Sequence, residues 1–184
     1  MAYYAGIDLG ASNLRAVVAD GEARTVARGK RPTPQGPDGG AVEAAMVDLL
    51  RSVCAEAGLA PTDLAAAAVA SFGPLDLAAG TVEGPANLAE VDRIRLRAPV
   101  AEAIGGGPAY VHNDATAGVI GERFFTDPNP DDMVYLTISS GIGAGVAVDG
   151  HVLRGWDGNV GEVGHFVVDP EGRRTCGCCG TGHW

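Results

Sequence analysis

The chain has little lysine, few aromatic residues and no long hydrophobic run. Lys30 is its only lysine, aromatic residues make up 5%, and 13 basic residues stand against 23 acidic ones, for a formal net charge of −10. Because binding to nucleic-acid phosphates requires clustered Lys and Arg, we expect no nucleic-acid partner. The sequence also lacks the roughly 18 consecutive apolar residues that a membrane-spanning helix needs, so we expect no membrane partner.

The N-terminus lacks a basic segment that leads into an apolar stretch with a cleavage site. This absence argues against a secretory signal, and we expect a cytoplasmic protein. A chain of this length buries about 70% of its unfolded surface on folding. That is enough for one domain or for two small lobes.

The acidic excess has two interpretations. Like charges on a surface repel at low ionic strength, and salt shortens the Debye length to about 3 Å at 1 M, so the composition suits a halophilic, salt-rich cytoplasm. An organism of high GC content also produces acidic proteins rich in Arg and Ala. The charge pattern by itself does not separate these two origins.

Cysteine is scarce, yet three of the four cysteines lie close together near the C-terminus. His165, Cys176, Cys178 and His183 have spacings typical of a zinc site closed by four protein ligands, and Cys179 is an alternative ligand. Clustered thiols at metal spacing suit a reducing compartment better than disulfides do. We therefore predict a structural Zn²⁺ site. The alternative is a Cys/Gly-rich tail that binds no metal.

Hydrophobic periodicity predicts strands first and then alternating helices and strands, which indicates an α/β fold. The apolar face of the first predicted helix includes Cys54, which we expect in the core as a small apolar residue. The predicted strands cover residues 3–9, 14–19, 26–30, 65–70, 110–112, 133–139, 145–149 and 151–153, and the predicted helices cover 42–57 and 115–125.

Two glycine-containing turns have the composition of phosphate-binding loops. Asp8-Leu9-Gly10-Ala11-Ser12-Asn13 joins the first two predicted strands, and its backbone N–H groups and polar side chains could surround phosphate oxygens. Ser140-Gly141-Ile142-Gly143 lies between two later strands. Each motif alone is also compatible with a plain turn between strands.

Asn113 and Asp114 stand where a predicted strand meets a predicted helix. α/β folds often place reactive groups at such a position. A carboxylate here serves either as a helix N-cap, worth about 1 kcal/mol, or as the base that accepts a hydroxyl proton during phosphoryl transfer. The helix-start rules alone favour the cap.

Taken together and in this order, four motifs resemble those of the ROK family of sugar kinases and related repressors. They are Ala5 to Asn13, Asn113 to Ala117, Ser139 to Gly145, and Gly164-His165 followed by Cys176-x-Cys178. The resemblance runs essentially from end to end. It is strongest to the glucokinases of the family, and His183 in place of a third cysteine is similar to the haloarchaeal ones.

The resemblance implies an actin-like ATPase (ribonuclease H-like) fold of the α/β class. According to the resemblance, residues 1–115 form a complete first lobe, and residues 116–184 begin a truncated second lobe that carries the zinc motif. Family members continue beyond the position of Trp184 with the rest of that lobe and the adenine pocket. We therefore expect the N-terminal half of a kinase, with little activity by itself and a homo-oligomeric parent.

The resemblance also assigns roles for an ATP-dependent hexose kinase, with glucose favoured as the sugar. Asp114 becomes the catalytic base, and Asp8 would hold Mg²⁺ that enters with ATP, directly or through water. His165 would contact both zinc and sugar. The implied sugar contacts are Asn87, Asn113, Asp114, Glu162 and His165, and the implied nucleotide contacts are Asp8, Gly10, Ala11, Ser12, Asn13, Ser140, Gly141, Ile142 and Gly143.

Three alternatives stay open. Asn87 lies two residues after Pro85, and the alternative to its role as a sugar contact is that of a turn residue. The truncation permits a sugar- or zinc-binding remnant without catalysis. A sugar-responsive transcriptional regulator of the same family is disfavoured, because the first predicted strand begins at residue 3 and leaves no room for a DNA-binding helix-turn-helix.

Overall fold

The computed structural model describes residues 1–88, 90–139, 141–156, 158, 160–171, 175–176 and 180–181. The chain forms two compact units, Met1–Asn113 and Asp114–Trp184. Within the described residues, no helix is both long enough and apolar enough to cross a membrane.

The first unit is built on a five-stranded mixed sheet. Its elements are β1 (Tyr3–Leu9), β2 (Asn13–Asp20), β3 (Thr25–Pro32), α1 (Gly39–Glu56), β4 (Leu64–Ser71), β5 (Leu75–Asp76), β6 (Thr81–Glu83), β7 (Arg93–Arg95), α2 (Arg97–Ala103) and β8 (Ala109–Asn113). The large sheet has the order β3-β2-β1-β4-β8. β2 is antiparallel to β1 and β3, whereas β4 runs parallel to β1 and β8.

Alternation along the strands gives this sheet one buried face. On β1, Ala5, Ile7 and Leu9 are buried, whereas the intervening side chains are partly or largely exposed. α1 covers the buried face with its apolar stripe, which includes Cys54. Cys54 is fully buried, as the periodicity predicts, and this burial raises the pKa of its thiol, with a smaller contribution from the charge of Asp63.

Local signals set the limits of α1. The side chain of Asp38 accepts a hydrogen bond from the backbone N–H of Gly40 (2.8 Å) and so caps the first turn. Gly58, with φ +72°, ends the helix in the left-handed conformation. Between these limits, every buried residue of α1 except one is apolar or a cysteine.

The exception is Glu43, which joins α1 to β7. Its carboxylate accepts hydrogen bonds from the backbone N–H of Arg95 (2.8 Å) and from the Arg95 guanidinium (2.9 and 2.6 Å). This bonding raises the pKa of Arg95. β7 closes a small antiparallel sheet of order β5-β6-β7, which the sequence pattern does not predict.

The second unit packs a helix on a three-stranded antiparallel sheet. Its elements are α3 (Asp114–Phe125), β9 (Met133–Ile138), β10 (Ile142–Val148), β11 (His151–Val152), β12 (Thr175–Cys176) and β13 (Gly180–Thr181). The sheet order is β11-β10-β9, and β12 pairs with β13 in a separate hairpin. Arg123 near the end of α3 donates to the carbonyls of Pro130 (2.8 Å) and Gly150 (3.0 Å), which ties two loops to the helix.

We expect Glu43→Ala to lower the free energy of unfolding of the chain by about 2 kcal/mol, because it removes three hydrogen bonds and leaves the partly buried N–H of Arg95 without its acceptor. Urea unfolding followed by circular dichroism measures the change. The control is Asp48→Ala on the same helix, which breaks an exposed pair with Arg51 (3.6 Å) and should cost under about 0.5 kcal/mol. Equal effects of the two substitutions would contradict a structural role for the Glu43 bridge.

Candidate functional site

The carbonyl groups of the turn between β1 and β2 accept hydrogen bonds that hold the turn in place. The hydroxyl of Thr33 donates to the carbonyl of Gly10 (2.6 Å), and the side-chain amide of Gln35 donates to the carbonyl of Ala11 (2.9 Å). The backbone N–H of Thr33 donates to the carbonyl of Ser12 (3.1 Å). Three successive carbonyl oxygens are thereby bonded to the segment that follows β3.

The N–H groups of the same turn have a different environment. Gly10 donates to the carbonyl of Asn13 (3.0 Å), but the N–H groups of Ala11 and Ser12 make no hydrogen bond to any residue that the structure describes. A turn with bonded carbonyls and unbonded N–H groups presents positive dipoles to an anion. Ala11 and Ser12 of the predicted phosphate-binding turn have N–H groups of this kind, and phosphate binding there stays a prediction.

Asp8, near the carboxyl end of β1, forms an ion pair with Arg15. Arg15 on the neighbouring strand donates to its Oδ2 at 2.6 Å, and both side chains are about half exposed. A hard cation at this carboxylate would share it with the guanidinium. The geometry is compatible with a cation that keeps most of its water ligands, as Mg²⁺ commonly does.

Asp114 lies at the first position of α3, directly after the last residue of β8. Its side chain is exposed, and Oδ1 accepts a hydrogen bond from the backbone N–H of Ala115 (2.7 Å). This bond joins Asp114 to an N–H of the first turn of α3, and the side chain also presents a carboxylate oxygen where β8 ends. The two roles are compatible within one side chain.

The second glycine turn connects β9 to β10. The N–H of Ser139 donates to the carbonyl of Gly141 (2.9 Å), which makes the turn tight. Gly143 lies beside the start of α3, where a Cβ atom would be 3.7 Å from that of Ala115. The glycine turn and the Asp114 end of α3 are therefore neighbours within the second unit.

The segment from Gly161 to His165 packs against β10 from another side. The N–H of Ala144 donates to the carbonyl of Gly161 (2.8 Å). A Cβ atom on Gly161 would lie 1.8 Å from the Ala144 carbonyl oxygen, and one on Gly164 would lie 2.4 Å from that of Ile142. Only glycine permits this approach.

The packing of Gly161 and Gly164 against β10 fixes the segment that carries both Glu162 and His165. They lie three residues apart around a short 3₁₀ turn, with Nε2 of His165 3.7 Å from Oε2 of Glu162. Both side chains are about half exposed. Three predicted motifs thus meet at β10: the glycine turn, the start of α3 that carries Asp114, and the segment that carries Glu162 and His165.

Asn87 lies elsewhere, in the first unit, within the 3₁₀ turn Ala86–Leu88 that follows β6. Leu88 and Val91 bury their side chains and so anchor this connection.

An ion pair joins the two strands that this connection links. Arg93 on β7 donates to both carboxylate oxygens of Glu83 on β6 (2.8 and 3.0 Å). Hydrogen bonds from Thr81 and then from Arg93 lower the pKa of Glu83.

Part of the predicted site falls outside the described residues, namely Ser140, Cys178, Cys179 and His183. Cys176 contributes its backbone to β12. Within the described part of the chain, no group of three or more His, Cys, Asp and Glu side chains is arranged to hold a metal ion. The zinc site therefore stays a prediction.

Sequence reasoning missed the residues that support the site. Thr33 and Gln35 hold the first turn from 20 or more positions away, and no local pattern marks them. Gly161 and Gly164 were visible only as part of a motif, because the need for glycine comes from a strand that precedes them in the chain.

Comparisons with known proteins identify the family of the chain. The model of the ROK family matches residues 4–184. A glucokinase from Pyrobaculum calidifontis is 38% identical over 186 residues, which cover 100% of this chain and 56% of that protein. An N-acetylmannosamine kinase from Salmonella typhimurium is 34% identical over 172 residues, which cover 94% of this chain and 56% of that protein.

Solved structures give the same result. A ROK family glucokinase from Streptomyces griseus, in complex with glucose and AMPPNP, superposes with a TM-score of 0.81 at 30% identity, and the match covers 99% of this chain and 55% of that one. The expected actin-like ATPase fold is confirmed, with the chain spanning about half the length of its relatives. The chain belongs to the ROK family.

Proposed function

We propose that the full-length protein is an ATP-dependent hexose kinase that converts glucose to glucose 6-phosphate, and that this chain is its N-terminal part. The observation that carries the proposal is the meeting of three segments at β10: the glycine turn, the start of α3 that carries Asp114, and the segment that carries Glu162 and His165. A phosphoryl-transfer site needs an anion-binding turn, a base and polar groups that orient the acceptor.

In the proposed reaction, Asp114 accepts the proton of the attacking sugar hydroxyl. The sugar oxygen bonds to the γ-phosphorus of ATP as the bond to the β,γ-bridging oxygen breaks, and ADP leaves with that oxygen. Phosphoryl transfer needs little covalent help from a protein, so positioning and charge stabilisation dominate. A well-placed base adds about 10²- to 10⁴-fold.

The two glycine turns hold the nucleotide phosphates in this proposal. The N–H groups of Ala11 and Ser12 donate to phosphate oxygens. The carbonyl groups of this turn are already bonded to Thr33 and Gln35, so the N–H groups are the polar groups that the turn offers to a ligand. Gly141 to Gly143 provide the second turn. Mg²⁺, bound near Asp8 and the phosphates, would reduce the negative charge that develops during transfer.

In addition to Asp114, the proposed sugar contacts are Asn87, Asn113, Glu162 and His165. Relatives at 38% and 34% identity are a glucokinase and an N-acetylmannosamine kinase, which differ in the substituent that they accept at C2 of the sugar. Glucose is our proposal for the acceptor. A buried site that bonds each hydroxyl rejects sugars that lack one.

Zinc is proposed as a structural ion. The donor set of two cysteines and two histidines, His165, Cys176, Cys178 and His183, has the chemistry that tetrahedral Zn²⁺ prefers. His165 lies next to Glu162, and about half of its side chain is exposed. The ion would fix the tautomer of His165 and hold the sugar-binding segment.

We further propose a parent that works in a salt-rich cytoplasm and that is a homo-oligomer, as the family resemblance implies. The support for the salt-rich cytoplasm is the net charge of −10, since concentrated salt screens the repulsion between acidic surfaces. Assays therefore belong in molar KCl.

We expect Asp114→Asn in the full-length enzyme to lower kcat by about 10²- to 10⁴-fold, because an amide cannot accept the hydroxyl proton. Asn caps a helix about as well as Asp does, so the melting temperature and the sugar Kd should change little. Coupled assays with glucose and N-acetylmannosamine, together with calorimetric titration of sugar, measure these quantities.

The same experiment separates the alternatives. Retained activity in the variant would assign Asp114 the cap role alone. A parent protein that binds sugar but never transfers phosphate would establish the non-catalytic remnant. A higher kcat/KM for N-acetylmannosamine than for glucose would change the acceptor and leave the kinase proposal intact.

Gly164→Ala should lower kcat/KM for the sugar at least 10-fold in the full-length enzyme, because the new Cβ atom would lie 2.4 Å from the Ile142 carbonyl oxygen and displace the Glu162–His165 segment. The control is Gly121→Ala in α3, where nothing lies within 4 Å of the added Cβ. That control should retain activity and gain about 0.5–1 kcal/mol of stability. Equal activities would show that β10 does not position the segment.

The zinc proposal predicts one Zn²⁺ per chain by plasma emission spectroscopy, and a loss of that ion in Cys178→Ser. Removal of zinc should raise the KM for sugar more than it lowers kcat, because the ion holds a binding segment and takes no part in the transfer. The control Cys54→Ser alters a buried thiol in the first unit and should leave the zinc content unchanged. A zinc-free protein with normal KM would refute the site.

A further inference from the structure

The segment that carries Asn87 is closed at its base. It connects β6 to β7, and its described part is residues 84–88 and 90–92, which we call the Asn87 connection. The backbone N–H of Gly84 donates to the carbonyl of Asp92 (2.7 Å). This bond brings the two ends of the connection together directly beside the small sheet.

The Asn87 connection is also fixed from within. The backbone N–H of Leu88 donates to the carbonyl of Pro85 (3.0 Å), and that of Val91 donates to the carbonyl of Leu88 (2.8 Å). The side chains of all three residues are buried. Backbone bonds and buried side chains thus give the connection a defined path. A displacement of its anchors would move the Asn87 backbone with them.

The first turn of α1 lies against the end of this connection. A Cβ atom on Gly39, the first residue of α1, would lie 2.1 Å from the carbonyl oxygen of Arg93 and 3.2 Å from Cγ1 of Val91. Gly39 does not have a positive φ. Its lack of a side chain is therefore required by the close approach to β7 and not by an unusual backbone conformation.

Glu43 makes a second contact with β7, one helical turn after Gly39 and on the same side of α1. Its carboxylate accepts a hydrogen bond from the backbone N–H of Arg95 (2.8 Å), and only 10% of its side chain is exposed. β7 is the last strand of the sheet β5-β6-β7. Gly39 and Glu43 therefore contact two alternate residues along the outer edge of that strand.

α1 is held more firmly than β7. The helix has 18 residues, and its apolar stripe is buried in the core together with strands of the large sheet. β7 has only three residues and lies at the edge of a small sheet. Because the strand has fewer anchors than the helix, a steric clash between them would displace β7 and the Asn87 connection more readily than α1.

We propose that Gly39 and Glu43 are positioning residues for the acceptor sugar. They act through β7 and the Asn87 connection, and they set the place of Asn87 without contact to the sugar or to the reacting atoms. This inference rests on the proposed function, in which Asn87 is a sugar contact. A hydrogen bond weakens steeply with distance and angle, so a small shift of the connection weakens sugar binding.

In the full-length enzyme, Gly39→Ala should raise the KM and the Kd for glucose by about 5- to 50-fold, because the displaced Asn87 loses its bond to a sugar hydroxyl. The kcat and the KM for ATP should change by less than about threefold, because the base and the phosphate-binding turns stay in place. Coupled assays and calorimetric titration measure these quantities. The control is Gly21→Ala, whose added Cβ would meet only the Ala2 carbonyl oxygen, at 3.8 Å, and which should behave as the wild type.

A double-mutant cycle separates positioning from a general loosening of the protein. Asn87→Ala should weaken glucose binding by a factor similar to that of Gly39→Ala. When the two are combined, Gly39→Ala should add less than about twofold, because its effect passes through Asn87. Additive losses in the double variant would overturn the proposal. A normal glucose Kd in Gly39→Ala would do the same.

Glu43→Ala gives the same measurements if Gly39→Ala fails to fold, because it releases the second contact with β7. Its conservative counterpart is Glu43→Gln, whose amide oxygen still accepts from the N–H of Arg95. Glu43→Gln should bring the glucose Kd back to within about threefold of the wild-type value. Equal glucose Kd values for Glu43→Ala and the wild type would contradict the positioning role.

Hydrogen exchange in the full-length protein tests the mechanical step without reference to activity. Gly39→Ala should speed exchange of the bonded N–H groups of Gly84 and Val91 at least about 10-fold and leave that of Ile7 in β1 unchanged. Unchanged exchange at Gly84 and Val91 would overturn the proposal.

Failure of this inference is distinguishable from failure of the proposed function. An active kinase that depends on Asn87, but whose glucose Kd is unaffected by Gly39→Ala, overturns the inference alone. A full-length protein that neither binds nor phosphorylates a sugar overturns both.

Discussion

Close approach of backbone to β10 is the constraint on which the second unit depends. A Cβ atom on Gly145 would lie 2.0 Å from the carbonyl oxygen of Ala115, and one on Gly161 would lie 1.8 Å from that of Ala144. Any other residue at either position forces the start of α3 or the following segment away from the strand. The glycines therefore determine where the Asp114 carboxylate and the Glu162–His165 pair lie relative to the glycine turn. The same feature explains why this stretch of sequence is so rich in glycine.

The first unit depends on side chains as well as backbone. Glu43 is a buried carboxylate in an apolar helix face, and its three hydrogen bonds to Arg95 attach α1 to the small sheet. Thr33 and Gln35 similarly attach the turn after β1 to the segment after β3. These bonds join segments that are far apart in sequence. They fix the turn and with it the orientation of its N–H groups.

Elements with a clear period were predictable from sequence, and short ones were not. β1 to β4, α1, α3 and the strands around the second glycine turn follow the apolar pattern, and their bounds differ from the expected ones by a few residues. β5, β6 and β7 have two or three residues each, too few for an alternation to appear. α2 contains Pro99, which usually argues against a helix but is tolerated in the first turn. Within the site, motif residues could be named in advance, whereas Thr33 and Gln35 could not, because their partners lie far away in the chain. The same holds for the bridge from Glu43 to Arg95 in the first unit.

The position of β1 in the sheet has a consequence for how the protein folds. β1 precedes the other four strands of this sheet in the chain, yet it occupies the centre of the sheet, between β2 and β4. Its pairing with β2 is local and fast, but its other edge stays unpaired until β4 has been synthesised, where Asp8 pairs with Ala70 some sixty residues later. During synthesis the nascent chain therefore carries an unpaired central edge, the kind of surface that templates misassembly and that chaperones protect.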